Sequence, residues 1–292
     1  MPRLPGRRRP SGRNASGRRG GDASGRRVLI TGASGTIGRA LGERLTRAGA
    51  QVVGLDVRPA GDEPFPVLAC DVTDDASVAT AVGEALRVLG GLDVLVNNAG
   101  VGGPAPAEYA PGTEVRRQLD INLLGTWRVT AACVDALVEA RGRVVMVASR
   151  MAVMQLPLAA AYGASKRAMV AYADALRLEL AGHVGVSCVY PSAVRSPIHD
   201  STAAAGLSLE GMSVYEPLAG VVAAIERAAL APRAPRDVTT TRKGAVEFFL
   251  ARHLPRLTDR IVTRTLAARV GAGAFGGAEL ARGVVARHRS RT

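Results

Sequence analysis

From Val28 onward, short runs of β-branched and aliphatic residues alternate with longer Ala/Leu-rich stretches. The short runs predict strands near 27–31, 51–55, 66–69, 93–96, 143–148, 185–190 and 237–240, and the longer stretches predict helices near 36–48, 75–89, 114–138, 160–181 and 217–230. Runs such as Val144, Val145, Met146 and Val147 are continuously apolar rather than alternating, as expected for central strands covered on both faces. Strands regularly separated by helices imply βαβ units. The expected architecture is therefore α/β: a doubly wound parallel sheet in three α/β/α layers, built as a single domain.

A chain of 292 residues with 47% hydrophobic content can bury a core large enough for that one domain. The formal charge of +13 changes the picture less than it promises, because residues 1–27 hold nine arginines against Asp22 alone, or +8. Residues 1–26 are rich in Gly, Pro, Ser and Arg with little to bury, and are expected to be a disordered tail. Residues 27–241 then form the main domain, with a mobile lid at about 195–216, and 242–292 form a helical, basic extension. No specific nucleic-acid partner is expected. An arginine tail that binds nucleic acid is the alternative, and it predicts salt-sensitive binding that vanishes without residues 1–27. No stretch reaches about 18 uninterrupted apolar residues and the start lacks an apolar signal core, so a cytoplasmic protein is expected. Cys70, Cys133 and Cys188 stand apart with no histidine in register, which suggests buried small hydrophobes and no metal site.

Chemistry enters at the end of the first predicted strand, where TGASGTIG (31–38) leads into a helix. Gly32, Gly35 and Gly38 let the backbone turn tightly and approach a pyrophosphate at the positive helix start, the arrangement of a Rossmann fold. The second predicted strand ends in Asp56, eighteen residues after Gly38, where a carboxylate can accept ribose hydroxyls and repel a 2′-phosphate. NAD is therefore the preferred cofactor. NADP stays open, because Arg39 and Arg58 lie near enough in sequence to meet a phosphate.

Together with that glycine motif, CDVT (70–73), NNAG (97–100), Asn122, Ser149 and YGASK (162–166) resemble the short-chain dehydrogenase/reductase family in order and spacing. The resemblance spans about residues 27–240 and implies an NAD(P)-dependent oxidoreductase acting on a small-molecule alcohol or carbonyl, usually as a homodimer or homotetramer. By that resemblance Ser34 and Ile37 belong to the cofactor turn and Asp71 and Val72 contact adenine. The Asn98-Ala99-Gly100 turn then supports cofactor and sheet, while Asn122, Ser149, Tyr162 and Lys166 form a catalytic tetrad in which Asn122 holds a relay water. The segment YPSAVRSPI (190–198) resembles the stretch that closes over nicotinamide through Pro191, Val194 and Ser196, with Ser192 and Ser196 departing from the usual glycine and threonine.

The tetrad is also chemically coherent. A phenol is a poor base at neutral pH, and an ammonium one helical turn away is expected to lower its pKa so that it exchanges a proton with the substrate oxygen. Ser149 can bond that oxygen as charge develops. The chain has five tyrosines and only two lysines, so a chance Tyr-x-x-x-Lys is improbable. Arg150, beside Ser149, is expected to point to solvent, with contact to an acidic substrate as the alternative.

Beyond the tetrad the signals thin. Leu156, Leu158, Leu207, Leu209 and Met212 suggest an apolar substrate pocket or plain lid packing; His183 and His199 are expected to be bystanders. In the extension, Leu250, Leu254, Leu257, Ile261 and Thr265 or Leu266 recur at helical spacing with Arg252, Arg256, Arg260 and Arg264 on another face, and Pro255 opens a second helix. Packing on the pocket or a partner subunit is expected there, with peripheral contact to an anionic membrane as the alternative. The functional expectation is hydride transfer between nicotinamide and a secondary alcohol or ketone on an apolar molecule, with Tyr162 as general acid/base. A catalytically silent nucleotide-binding sensor of the same fold is the rival.

Overall fold

The computed structural model describes residues 21–207 and 215–289. Seven strands, β1 (Arg27–Thr31), β2 (Gln51–Asp56), β3 (Val67–Ala69), β4 (Val94–Asn97), β5 (Arg143–Val147), β6 (Gly185–Tyr190) and β7 (Asp237–Thr239), form one parallel sheet in the order β3-β2-β1-β4-β5-β6-β7. Helices α1 (Thr36–Arg47), α2 (Asp75–Leu89), α3 (Thr113–Leu119), α4 (Thr126–Glu139), α5 (Ala160–Glu179), α6 (Asp200–Ala204) and α7 (Leu218–Leu230) connect the strands. Three more follow: α8 (Arg242–His253), α9 (Pro255–Gly271) and α10 (Arg282–Arg289).

The continuous apolar runs explain the layers. In β1, Val28 and Ile30 point into a core shared with Leu41 and Leu45 of α1 and Val221 and Ile225 of α7. Leu29 between them points into the opposite core with Val82 of α2, Leu137 of α4 and Met169 of α5. All three strand side chains are fully buried, each contributing roughly 1.5–3 kcal/mol. A parallel strand buried this way has no polar face to offer water, so helices on both sides are obligatory.

The chain leaves β1 for β2 and β3 on one side, then crosses to β4 on the other. The connections at the carboxyl ends of β1 and β4 therefore diverge and open a crevice at the switch point.

The helix predicted over 114–138 is not continuous. A π-helical turn, Asp120–Gly125, separates α3 from α4. The hydroxyl of Thr126 donates to the Asn122 carbonyl at 2.9 Å and that of Thr130 to the Thr126 carbonyl at 2.7 Å, taking up carbonyls at the wide turn. By length and composition Thr113–Glu139 is apolar enough to cross a bilayer. Here it is a layer helix, with Val129, Cys133 and Leu137 fully buried in the core beneath the sheet.

The extension folds back onto the domain. Leu266, Val270, Phe275, Ala281 and Val285 close a third, smaller core over Leu158 and Leu207, and Arg287 pairs with Glu108. Leu158 takes a left-handed backbone conformation with φ 68°, unusual for leucine, and its side chain is buried in that cluster. Pro255 does open α9. The arginine tail through residue 20, together with Leu209 and Met212 of the expected lid, lies outside the described residues.

Candidate active site

The crevice between β1 and β4 is built by backbone and small side chains. Gly32 has φ +63°, and a Cβ there would lie 2.8 Å from the Ala99 Cα. A Cβ on Gly38 would run into the Gly32 carbonyl and come within 2.9 Å of the Ala33 Cα. Helix α1 starts at Gly35 with no side-chain cap, so its first N–H groups are left for whatever lies in the cleft. The hydroxyl oxygen of Thr31 accepts from the Asn98 and Ala99 amides at 3.0 and 2.9 Å, and the Asn98 side-chain amide donates to the carbonyls of Thr31 and Gly32, both at 3.0 Å. Asn98 thereby ties the two diverging strand ends together. The resulting cleft, about 1020 Å³, is lined by Gly32, Ser34, Gly35, Ile37, Asp56, Asp71, Val72, Asn98, Ala99, Gly100 and Ser196, among others. Gly38 lies buried behind it in α1. A glycine cradle beneath an uncapped helix start is the fit that a dinucleotide pyrophosphate requires.

At the far end of this cleft the carboxylates gather. Asp56 accepts from the Ser34 and Arg58 amides, each at 3.0 Å. Glu63, which no sequence signal marked, folds in from the β2–β3 connection, accepting from the Ser34 hydroxyl and from the Ala60 and Gly61 amides at 2.9 Å. The Ser34 hydrogen bond and these amides hold its carboxyl below the usual range. Arg39, weighed as a phosphate partner, is instead forked onto Asp62 at 2.7 and 2.9 Å on the surface. Arg58 lines the cleft. Asp71 accepts from the Thr73 amide and hydroxyl at 2.9 and 2.7 Å, which holds its carboxyl low and sets the turn that presents Val72.

A smaller cavity of about 100 Å³ adjoins this cleft, with Ile37, Asn98, Gly100, Ser196 and Ile198 lining both. Ser149, Tyr162 and Lys166 converge on it. Ser149 follows β5, and its oxygen accepts from the Met151 amide at 3.1 Å as the cap of a short 3-10 turn. Its hydroxyl lines the same cavity as the Tyr162 phenol and favours the phenolate. The four-residue step on α5 brings the Lys166 Nζ to 6.0 Å from the Tyr162 ring centre, where it donates to the Val147 carbonyl at 3.0 Å. Asn122 stands behind, at the π turn. Its side chain accepts from the Val101 amide at 2.8 Å and donates to the Val101 carbonyl and the Ser165 hydroxyl, both at 2.9 Å. A Cβ on Gly100 would sit 3.2 Å from both the Asn122 Oδ1 and the Lys166 Nζ, so these groups meet at one point.

The electrostatics correct one expectation. Burial pushes the Tyr162 phenol above its ordinary value, opposed by the Ser149 hydroxyl, and the expected net lowering by Lys166 is not what the site produces. The reason is the burial of the phenol itself; Lys166 is buried as well, which pushes its ammonium down to about 8. The phenol is therefore held protonated at neutral pH, as a proton donor.

The 191–196 segment is anchored from behind. Pro191 accepts the Arg150 amide at 2.8 Å, the Ser192 amide donates to the buried Glu216 carboxylate, and the Ala193 carbonyl accepts the Glu216 amide at 2.9 Å. Pro191, Val194 and Ser196 line the small cavity, and the Ser196 hydroxyl turns back to the Val194 carbonyl at 3.3 Å. The expectation for Arg150 is overturned. Its side chain is 7% exposed and donates to Glu247 of α8 at 2.7 Å, because α8 packs over this strand end with Phe248 edge-on to Tyr190 at 4.8 Å. Leu156 lines the cavity, whereas Leu158 and Leu207 belong to the third core. His183 is exposed beyond α5, and the side chain of His199 lies outside what is described. Among the described residues, no three His, Cys, Asp or Glu side chains group as metal ligands.

The chain is similar to known proteins. The profile of the short chain dehydrogenase family matches residues 26–205. The chain is 33% identical over 190 residues to L-fucose dehydrogenase of Mus musculus, covering 62% of this chain and 70% of that one. It is 33% identical over 208 residues to an NAD-dependent oxidoreductase of Mycobacterium tuberculosis, covering 62% and 75%. Among solved structures it is similar to the 3-ketoacyl-(acyl-carrier-protein) reductase of Brucella melitensis complexed with NADH, with a TM-score of 0.65 and 27% identity over 75% of this chain and 99% of that one.

Proposed function

This chain belongs to the short-chain dehydrogenase/reductase family of NAD(P)-dependent oxidoreductases acting on CH–OH groups, and from that premise we propose that it interconverts a secondary alcohol and a ketone on an apolar small molecule, with Tyr162 as the acid–base group. The observation that carries this reading is the convergence of Ser149, Tyr162 and Lys166 on a cavity opening directly onto the glycine cradle.

The Gly32–Gly38 turn, Asp56, Asp71, Val72, Asn98, Ala99, Gly100 and the 191–196 segment would hold a nicotinamide cofactor, which would supply or accept the hydride when bound. The chain's own residues manage the proton. Tyr162, protonated at rest, donates to the carbonyl oxygen in reduction, and Ser149 hydrogen-bonds that oxygen. Lys166, fixed on the Val147 carbonyl, faces the phenolate that results. Asn122 holds the Val101 turn in place beside Gly100, where the family resemblance puts a relay water.

NAD is the favoured cofactor, supported by the paired carboxylates Asp56 and Glu63 at the Ser34 turn and by the commitment of Arg39 to Asp62. Relatives named for a sugar and for an acyl group on a carrier protein leave the substrate open. The apolar class rests on Val147, Met151, Leu156, Ala193 and Ile198 around Tyr162. Family members are commonly oligomeric, and we place this one as a homodimer or homotetramer in the cytoplasm. The exposed Leu124 and Trp127 support assembly, and the free, buried Cys70, Cys133 and Cys188 suit a reducing compartment.

The test is titration with NADH and NADPH, followed by a screen of ketones and secondary alcohols read by nicotinamide absorbance, with Tyr162→Phe as control. Tighter NADH binding, with turnover abolished in Tyr162→Phe and binding retained, is the expected result. Failure to bind either nucleotide would overturn the assignment, and binding without turnover across the panel would replace it with a nucleotide sensor.

A further inference from the structure

We propose that the outer face of α8 and α9 is a docking surface for anionic lipid membranes, independent of the reaction assigned above. Among the described residues twelve large hydrophobics are exposed, and five of them, Val246, Phe249, Leu254, Leu257 and Ile261, fall in this one stretch at 59%, 56%, 48%, 42% and 51% exposure. Val246 and Phe249 lie three residues apart in α8, Leu257 and Ile261 four apart in α9, and Leu254 at the junction, so they cluster rather than scatter. The inner sides of the helices are already used: Phe248 packs on Tyr190, and Thr258, Leu266 and Val270 are buried. The exposed apolar groups are therefore left over after the extension has packed on the domain.

Charge identifies the occupant. Arg256, Arg260 and Arg264 follow each other at four-residue steps along α9, beside Leu257 and Ile261, and Arg242, Lys243 and Arg252 are exposed on α8. Asp259 is the one exposed carboxylate within α8 and α9, since Glu247 is turned inward to Arg150. An apolar cluster bordered by a row of cations fits a bilayer surface, where the apolar groups enter the acyl boundary and the guanidinium groups meet phosphates. A twofold-related copy would set the arginine row against itself, so self-association through this face is disfavoured.

The full-length protein is sedimented with vesicles of phosphatidylcholine and phosphatidylglycerol in equal parts, and with phosphatidylcholine alone, at two salt concentrations. Binding to the mixed vesicles only, weakened by salt, is expected. The triple variant Phe249→Ser/Leu257→Ser/Ile261→Ser should lose it at least tenfold while NADH binding, the check on folding, is retained. Absence of binding to anionic vesicles would overturn the proposal. So would unchanged binding by the variant, which would assign the effect to the arginine-rich tail. A drop in oligomer size in the variant, without vesicle binding by the parent, would assign the face to a second copy.

Discussion

Arg150 and Glu247, 97 residues apart in sequence, form an ion pair at 2.7 Å with side chains 7% and 20% exposed. Arg150 directly follows Ser149, and its amide also holds the Pro191 carbonyl. The extension thus reaches the residue that joins the end of β5 to the segment above the small cavity. Removing the carboxylate takes a charged hydrogen-bond partner from a buried guanidinium. Glu247→Ala should cost about 2–4 kcal/mol, measured by urea denaturation, and Glu247→Gln less because one acceptor remains. The same variants should lower kcat, since Ser149 sits on the loosened turn.

The low value for Lys166 sets a pH dependence. Below about 8 its ammonium is charged and supports the phenolate left when Tyr162 delivers its proton. As pH rises through about 8 that charge is lost, so reductive kcat/KM should fall. Lys166→Arg, which stays charged, should remove the inflection while lowering the overall rate. The stability sign runs the other way. Between about 8 and the ordinary 10.5 the unfolded chain holds this proton and the folded chain does not, so this group's contribution to stability rises with pH across that window. Measured by denaturation midpoints, the stability of Lys166→Met relative to the parent should be greater at pH 7.5 than at pH 9.5, because only the parent carries the cost of a buried ammonium below about 8.

Cofactor choice should follow the carboxylates at Ser34. Asp56→Ser combined with Glu63→Gln removes two negative charges from the end of the cleft, and the ratio of kcat/KM for NADPH over NADH should rise at least tenfold. A ratio unchanged in the double variant would mean that neither carboxylate reads the ribose.

Two glycines give opposite outcomes for the same substitution. Gly38→Ala places a methyl group against the Gly32 carbonyl and should abolish nucleotide binding, measured by fluorescence titration. Gly83→Ala, on the exposed side of α2 with nothing within 4 Å of the added carbon, should stabilise the fold by roughly 0.5–1 kcal/mol in thermal denaturation.

What the amino-acid sequence determined by itself is what short-range pattern can carry. Continuous apolar runs such as Val28–Ile30 must be covered on both faces, so the parallel three-layer architecture followed from residues that are neighbours in the chain. The glycine turn and the Tyr162–Lys166 step are equally local, because a turn or a helix sets their geometry within a few residues. Tertiary structure alone decided the rest, wherever a group's state depends on distant partners. The helix predicted across 114–138 is opened into a π turn where Asn122 bonds both polar atoms of Val101's backbone. Glu63 reaches the Ser34 hydroxyl through a folded loop that no spacing rule describes. Arg150 looks like a solvated charge until α8 brings Glu247 over it, and Tyr162 looks like an acidified phenol until burial is counted. Dielectric surroundings and counter-charges are properties of the packed assembly of elements, so pKa and ion pairing become readable only once that packing is known.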